Sequence, residues 1–331
     1  MSSIKLNHFN HFDNLPHFNN GHDFLNFLPG PSVFHFTGKY SNTCRVVVTL
    51  LHGNEPSGLK ALSLLLNEKY QPYYDTKFIV ASVVAAKTEP EFSHRMLTGK
   101  RDLNRCFSAP FDDLQGKLAQ SIIELLTAYS PQAVVDLHNT SGSGPAFAVT
   151  TIKDNLHLAI SSHFCHRQIT TDISLGSLME CRLGFPIVTI EAGGAQDEEA
   201  DLIAYNGLKS FLGVKEIEQI QDVELLASPR RLEIKPNINI CFANVESKQT
   251  DITIMQDIEK LNFGCTKTNT PLAYCTSDAL SYFNISDQSD VAEYFKVEDG
   301  ILYTKIEMKM FMVTTRADIA KSDCLFYFVV D

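Results

Sequence analysis

The cluster His52-Gly53-Asn54-Glu55 follows directly on the β-branched run Arg45-Val46-Val47-Val48-Thr49-Leu50-Leu51. A strand that ends in His-x-x-Glu aims an imidazole and a carboxylate at one point, and that donor pair suits zinc. A second strand-like run, Ala133-Val134-Val135-Asp136-Leu137-His138, also ends in a histidine. His52, Glu55 and His138 then offer three protein ligands to one zinc ion and leave a fourth position open, as a catalytic zinc requires. A third run, Pro186-Ile187-Val188-Thr189-Ile190, ends in Glu191 ahead of Ala192-Gly193-Gly194. Zinc would polarise a carbonyl and acidify water, and Glu191 is the group to take the water proton and hand it to a leaving amine. The chemistry expected is metal-assisted amide hydrolysis.

Charge developing on the carbonyl oxygen needs a fixed cation nearby. The polar loop from Lys87 to Pro110 is the richest source, with Arg95, Lys100, Arg101, Asn104 and Arg105. A guanidinium also grips a carboxylate bidentately, which makes Arg105, helped by the Asn104 amide, the expected anchor for an anionic substrate end. Asp136 lies two residues before His138 and shares its strand face, so it could hydrogen-bond that ligand; a purely structural role is equally open. His163-Phe164-Cys165-His166 resembles a metal tract but reads as part of an ordinary helix, and His94 and His157 have no partner pattern.

The elements that must position these groups alternate. Leu59, Leu62, Leu65 and Leu66 have helical spacing between Pro56 and Tyr70; Lys77 to Ala86 reads as a buried strand; Leu118, Ile122, Leu125 and Leu126 line a helix from Asp112 to Tyr129; a further helix is expected from Asp197 to Leu212. Strand–helix alternation predicts a mostly parallel sheet with helices on both faces, and in such sheets functional groups gather at the carboxyl ends of strands. Beyond Ser228-Pro229 the pattern changes to short alternating segments, 232–240, 294–297, 301–311 and 325–330, which suggest a β-rich domain. Residues 1–40 are rich in His, Asn and Phe; His8, His11, His17, His22 and His35 follow no ligand spacing, so this part is expected to be a loosely structured cover.

At 331 residues the chain can bury one large domain and a smaller one. Its net charge of −11 argues against nucleic acid or an anionic membrane as the main partner. The eight cysteines form no C-x-x-C pair, no segment is long enough to span a bilayer, and the N-terminus has no basic region followed by an apolar core. A cytoplasmic protein with reduced thiols is expected, and the sequons at Asn139-Thr140-Ser141 and Asn284-Ile285-Ser286 carry no weight.

Four motifs, His52-Gly53-Asn54-Glu55, Asp102-Leu103-Asn104-Arg105-Cys106-Phe107, Asp136-Leu137-His138-Asn139-Thr140 and Ile190-Glu191-Ala192-Gly193, together resemble the aspartoacylase and succinylglutamate desuccinylase family. The resemblance covers about residues 45 to 195. It implies a zinc-carboxypeptidase-like α/β domain (41–228) after an N-terminal segment (1–40), followed by a β-rich C-terminal domain (229–331). It also implies zinc on His52, Glu55 and His138, Glu191 as general acid and base, and Asn104, Arg105 and Asn139 on the substrate. Family members further use an arginine upstream of the D-L-N-R motif to polarise the scissile carbonyl. Arg95 lies nine residues before Asn104 and Arg101 three; Arg95 is preferred. Arg182 lies near the place of an arginine that reads a second carboxylate, although the run into Glu191 is one residue longer than the family's.

The function expected is a zinc-dependent deacylase of a small anionic N-acyl amino acid such as N-acetylaspartate or N-succinylglutamate, and a homo-oligomer is compatible with it. A zinc metallocarboxypeptidase acting on peptide or cell-wall fragments is the competing enzyme. A zinc-binding protein without turnover is a third reading, and an uncoordinated Glu191 argues against it.

Overall fold

The computed structural model of the chain describes residues 4–330 apart from 11, 13, 14, 141, 143, 173 and 323, with the side chain of residue 322 also left out. His11 of the histidine-rich tract and Ser141 of the first sequon therefore lie outside the described residues. The chain divides into two compact units, 1–225 and 226–331.

The first unit is built on strands β1 (Asn7–Phe9), β2 (Ser32–Phe36), β3 (Tyr40–Thr49), β4 (Tyr74–Val80), β5 (Val134–Thr140), β6 (Phe147–Thr150), β7 (Arg167–Thr170), β8 (Ile187–Gly194) and β9 (Glu224–Ala227). They form one sheet in the order β1-β2-β4-β3-β5-β8-β6-β7-β9. Its centre, β4-β3-β5-β8, is wholly parallel, while β2 on β4 and β6 on β8 are antiparallel. Helices α1 (Gly21–Phe27), α2 (Ser57–Asn67), α3 (Val83–Ala86), α4 (Leu114–Tyr129), α5 (Asn155–Ser162) and α6 (Glu198–Gly213) complete the unit.

Successive strand residues serve opposite faces, so the apolar run of β3 feeds two cores. Val47, Val135 and Leu137 pack with Leu59, Leu62 and Leu65 of α2 and Phe211 of α6. Val46, Val48 and Val134 face the other way, onto Leu118, Ile122 and Leu126 of α4. Each fully buried side chain of this kind contributes about 1.5–3 kcal/mol. The central strands are thus packed from both sides.

Several expectations are corrected here. Strand β4 stops at Val80, and residues 83–86 are helical, because Ser82 turns back to donate its N–H to Leu50 O at 2.7 Å and its hydroxyl to Leu51 O at 2.8 Å. The described residues up to 40 do not form a loose cover: β2 pairs β4 along five residues, and Phe24 and Phe34 are fully buried. Their many phenylalanines are core. His163 to His166 follow the end of α5 instead of lying within it.

The second unit has two five-stranded sheets. Strands β10 (Arg230–Ile234), β13 (Cys265–Thr266), β15 (Phe283–Ile285), β18 (Met308–Phe311) and β19 (Phe326–Val329) form one; β11 (Ile240–Ala243), β12 (Ile252–Met255), β14 (Pro271–Cys275), β16 (Phe295–Glu298) and β17 (Ile301–Thr304) form the other. The expected strands 232–240 and 301–311 are each two strands with a turn between. Leu232, Ile254, Leu302, Phe326 and Phe328 share its core. Among the described residues no helix is long and apolar enough to cross a membrane.

Candidate metal centre and its proton carrier

The chain leaves β3 through Leu50, a buried residue at φ +57°, a region that β-carbon sterics disfavour for leucine. The backbone bond from Ser82 holds it there. This sharp exit turns His52 and Glu55 back over the end of the neighbouring strand. Gly53 is required on the way: a β-carbon there would stand 2.6 Å from both Ala86 N and His94 O, and Gly53 N–H donates to Arg95 O at 2.9 Å. The metal-site turn is thereby locked to the loop that carries Arg95.

His138 sits in the middle of the sheet, on β5, with Glu191 of β8 as its register partner. His52, Glu55 and His138 are buried, and one donor atom from each lies within 4.8 Å of the others. Among the described residues this is the one group of three or more such side chains that could hold an ion. His52 Nδ1 is 2.8 Å from Glu55 Oε1, and His138 Nδ1 is 2.7 Å from Glu55 Oε2. The far nitrogens are held as well: His52 Nε2 meets Asp102 Oδ1 at 2.9 Å, and His138 Nε2 meets Asp136 Oδ2 at 2.9 Å.

That symmetry decides what fits the site. A neutral imidazole that donates Nε2–H to an aspartate presents a lone pair at Nδ1. Two such lone pairs would face the oxygens of one carboxylate at hydrogen-bond distance, acceptor against acceptor. Either protons or a cation must lie between them, so the residues present fit a divalent metal. Burial disfavours the imidazolium of His138, but the Asp136 and Glu55 carboxylates outweigh it and push this group well above its ordinary value. Burial likewise opposes ionisation of Glu55, yet His52 and His138 hold it well below the usual carboxylate range. Both directions describe a pocket that demands positive charge.

Glu191 behaves in the opposite way. Its Oε2 is buried without a hydrogen-bond partner among the described residues, although the residue as a whole keeps some exposure. Burial pushes its carboxyl up to about 7, with His138 pulling the other way and Glu55 adding to the rise. A carboxyl poised near neutrality can both accept and return a proton.

Arg95 reaches the same place. Its Nε and Nη2 donate to Asp102 Oδ2 at 3.0 and 2.9 Å, and Nη1 lies 3.3 Å from Glu55 Oε1, with 37% of the side chain exposed. Arg101 does not: it grips both oxygens of Asp113, at 2.8 and 2.7 Å, beside the start of α4. Asn104 is buried, with Oδ1 accepting from Leu178 N–H at 3.0 Å and Nδ2 without a partner among the described residues. Arg105 is exposed beside it and donates to the Asn104 carbonyl at 2.7 Å.

Two expected substrate contacts are not brought to the site. Asn139 is buried and spends both ends of its amide inside the protein, on Ser57 and Gly193. Arg182 lines a separate cavity of about 490 Å³ with Ile152, Asp154, His157, Phe185 and Pro186. Pro186 precedes the first residue of β8, and four strand residues at about 3.3 Å each, roughly 13 Å, separate that end from Glu191. A larger cavity, about 680 Å³, belongs wholly to the second unit and contains none of the ligand residues.

Asp102 was given no role of its own in the sequence, although it opens the Asp102-Leu103-Asn104-Arg105 motif and stands between Arg101 and Arg105. It binds His52, Arg95 and the Asn104 N–H together. Burial opposes its ionisation, yet the hydrogen bond and charge of His52 and the charges of Arg95 and Arg105 hold it well below the usual carboxylate range.

No protein-family model matches the chain, and no curated protein sequence matches it. Solved structures do. A succinylglutamate desuccinylase/aspartoacylase from Rhodobacter sphaeroides superposes with a TM-score of 0.53 at 15% identity, over 86% of this chain and 82% of that one. A succinylglutamate desuccinylase from Vibrio parahaemolyticus gives 0.55 at 12% identity, over 95% of each chain. The chain has the succinylglutamate desuccinylase/aspartoacylase fold. The same fold relates it to the product-bound ectoine utilization protein EutE (DoeB) of Ruegeria pomeroyi, at a TM-score of 0.52 and 16% identity over 84% of this chain and 82% of that one. Identities this low establish the desuccinylase/aspartoacylase fold alone; what the site does must come from its residues.

Proposed function

We propose that the chain is a zinc-dependent amidohydrolase that removes the acyl group from a small N-acyl amino acid bearing a free carboxylate, such as N-acetylaspartate or N-succinylglutamate. The observation that carries this reading is the buried His52–Glu55–His138 group together with Glu191, the register partner of His138, whose Oε2 is buried and unpaired among the described residues and whose carboxyl is poised near neutrality. His52 and His138 would hold zinc through Nδ1 and Glu55 through its carboxylate. Bound zinc supplies a Lewis acid for the scissile carbonyl and makes a nucleophile available at neutral pH.

The remaining work falls to side chains of this chain. Asp102 and Asp136 keep both histidines turned with Nδ1 inward. Glu191 accepts a proton at Oε2 from the attacking water and returns it to the departing amine, which leaves as a neutral group. Arg95, aimed by its two bonds to Asp102, offers its guanidinium to the negative charge that grows on the carbonyl oxygen. Arg105 and the Asn104 Nδ2 pair with the substrate carboxylate, and this accounts for capture of an anion by a chain of net charge −11. The α/β unit that carries these groups is, in this reading, a zinc-carboxypeptidase-like domain.

The test is amine release from a panel of N-acetyl, N-succinyl and N-formyl amino acids, run beside C-terminal peptides with zinc-loaded protein. Hydrolysis confined to small acylated acidic amino acids supports the proposal and names the acyl group. Cleavage of peptides alone moves the chain to a carboxypeptidase, and silence on every substrate removes the proposed substrate class.

A further inference from the structure

Asn139 follows the ligand His138, where a side chain could face substrate, yet it is only 3% exposed. Its Oδ1 accepts from Ser57 N–H at 3.1 Å, and its Nδ2 donates to Ser57 Oγ at 2.8 Å and to Gly193 O at 3.0 Å. Its own backbone N–H points at Glu55 Oε2, 3.4 Å away. Ser57 opens α2 two residues after Glu55, and Gly193 lies two residues after Glu191. One amide therefore touches both the segment that carries the metal ligands and the strand end that carries the proton carrier.

The sheet itself cannot make this connection. His138 pairs with Glu191, but Thr140 pairs with Gly194, so β8 has one residue more than β5 and the ladder shifts between them. A bulge of this kind leaves a residue without its ladder partner and re-aims the strand. Here Gly193, at φ +117°, turns its carbonyl to the Asn139 amide instead. The task needs one acceptor and two donors in a plane, which asparagine supplies and aspartate does not. The network continues outward: Ser57 Oγ, having accepted from Asn139, donates to Asp201 Oδ1 at 2.6 Å, and Lys60 holds the other oxygen of Asp201 at 2.7 Å.

We infer that Asn139 is a positioning residue, which fixes the His52–Glu55 segment and the bulged end of β8 to one another and so sets the spacing between the metal ligands and Glu191. The roles of those groups rest on the proposed zinc hydrolase. Asn139 itself does not touch substrate.

The experiment compares Asn139→Ala and Asn139→Asp with wild type and with Leu126→Ala, a control that loosens the α4 core away from the network. Four readouts are taken: thermal midpoint, zinc affinity by competition with a chelator, the visible spectrum of the Co²⁺-loaded protein, and kcat and KM on the substrate that wild type turns over. Both Asn139 variants are expected to bind zinc about 10–100-fold more weakly, to change the cobalt bands, and to lower kcat with KM within twofold. The Leu126→Ala control should lose thermal stability with zinc affinity and spectrum unchanged. A raised KM with zinc affinity and spectrum intact would overturn the inference in favour of substrate binding. Equal zinc weakening in the control would reduce Asn139 to a merely structural residue. If Asn139→Ala does not fold, Asn139→Asp decides alone, since it keeps the acceptor for Ser57 N–H and loses both donors, to Ser57 Oγ and to Gly193 O. Wild-type silence on the substrate panel would sink the deacylase reading, while the zinc and cobalt readouts would still decide the inference.

Discussion

Replacing Asp102 by asparagine separates two duties that one carboxylate performs. Oδ1 accepts from His52 Nε2 at 2.9 Å and from the Asn104 N–H at 2.8 Å, while Oδ2 accepts both Arg95 donors. An amide has one oxygen and one NH₂. The Asn104 N–H cannot change its sense, so the amide oxygen must take the Oδ1 position and the NH₂ must face the guanidinium, donor against donor. His52 keeps a weaker neutral acceptor, whereas Arg95 loses both bonds. Charge-assisted bonds are worth about 1.5–3 kcal/mol each, but the partly exposed guanidinium regains water, which discounts the pair to about 2–3 kcal/mol. If Arg95 is the group that stabilises the carbonyl oxygen, Asp102→Asn should lower kcat about 100-fold, near 2.7 kcal/mol. Zinc affinity should fall by no more than about tenfold, since Nδ1 of His52 still points inward. Steady-state kinetics and chelator competition on one preparation read both quantities. A kcat within twofold of wild type, or zinc loss far exceeding the loss of turnover, would refute the reasoning.

Glu55→Gln removes the charge that both imidazoles face, so this variant should fail to retain zinc in metal analysis after dialysis. Stripping zinc from wild type with a chelator should lower its thermal midpoint, because an ion at 100 times its Kd stabilises by about 2.7 kcal/mol. Burial, aided by the nearby Arg45 charge, pushes the imidazole of His163 down to about 4, and its Nε2 is buried without a partner among the described residues. The folded value lies below the unfolded 6.5, so the unfolded chain binds more protons between these limits. Stability should therefore be complete above pH 6.5 and erode as pH falls toward 4, by up to about 3 kcal/mol; His163→Gln should flatten that part of a denaturation-midpoint profile. Arg182→Gln should leave KM within twofold of wild type, because the cavity it lines shares no residue with the metal group, and a large rise in KM would contradict that placement.

The His52–Glu55–His138 group was legible in the sequence because the two histidines end apolar runs and Glu55 stands three residues after the first, and strand ends are where a parallel sheet gathers chemistry. Val46 to Val48, Val134 to Val135 and Ile187 to Ile190 announce buried strands, and the polar residues that follow have few other places to go. The helices α2 and α4 were readable from their leucine spacing, and α6 from the strand–helix alternation, within a few residues. What periodicity does not encode is direction after a strand ends. Asn139 sits in a motif beside a ligand, yet a register shift turns its amide inward; Arg182 is close to Glu191 in the chain but stands at the opposite end of β8. Asp102 opens a motif in the sequence, but only the fold sets it between His52 and Arg95. The first 40 residues misled through composition, since their histidines and asparagines concealed two strands and a helix whose phenylalanines pack in or against the core.

The central claim is that a retained zinc ion and a separate proton carrier, Glu191, act together on an amide. Its most direct test measures zinc content and amide hydrolysis together for wild type and Glu191→Gln. The glutamine keeps the shape of the side chain and cannot accept a proton, so the account predicts one zinc per chain in both proteins and a fall in kcat of about 10²–10⁴-fold. Turnover by Glu191→Gln at the wild-type rate, or loss of its zinc, would contradict the account, the first by removing Glu191 from the chemistry and the second by making it a ligand.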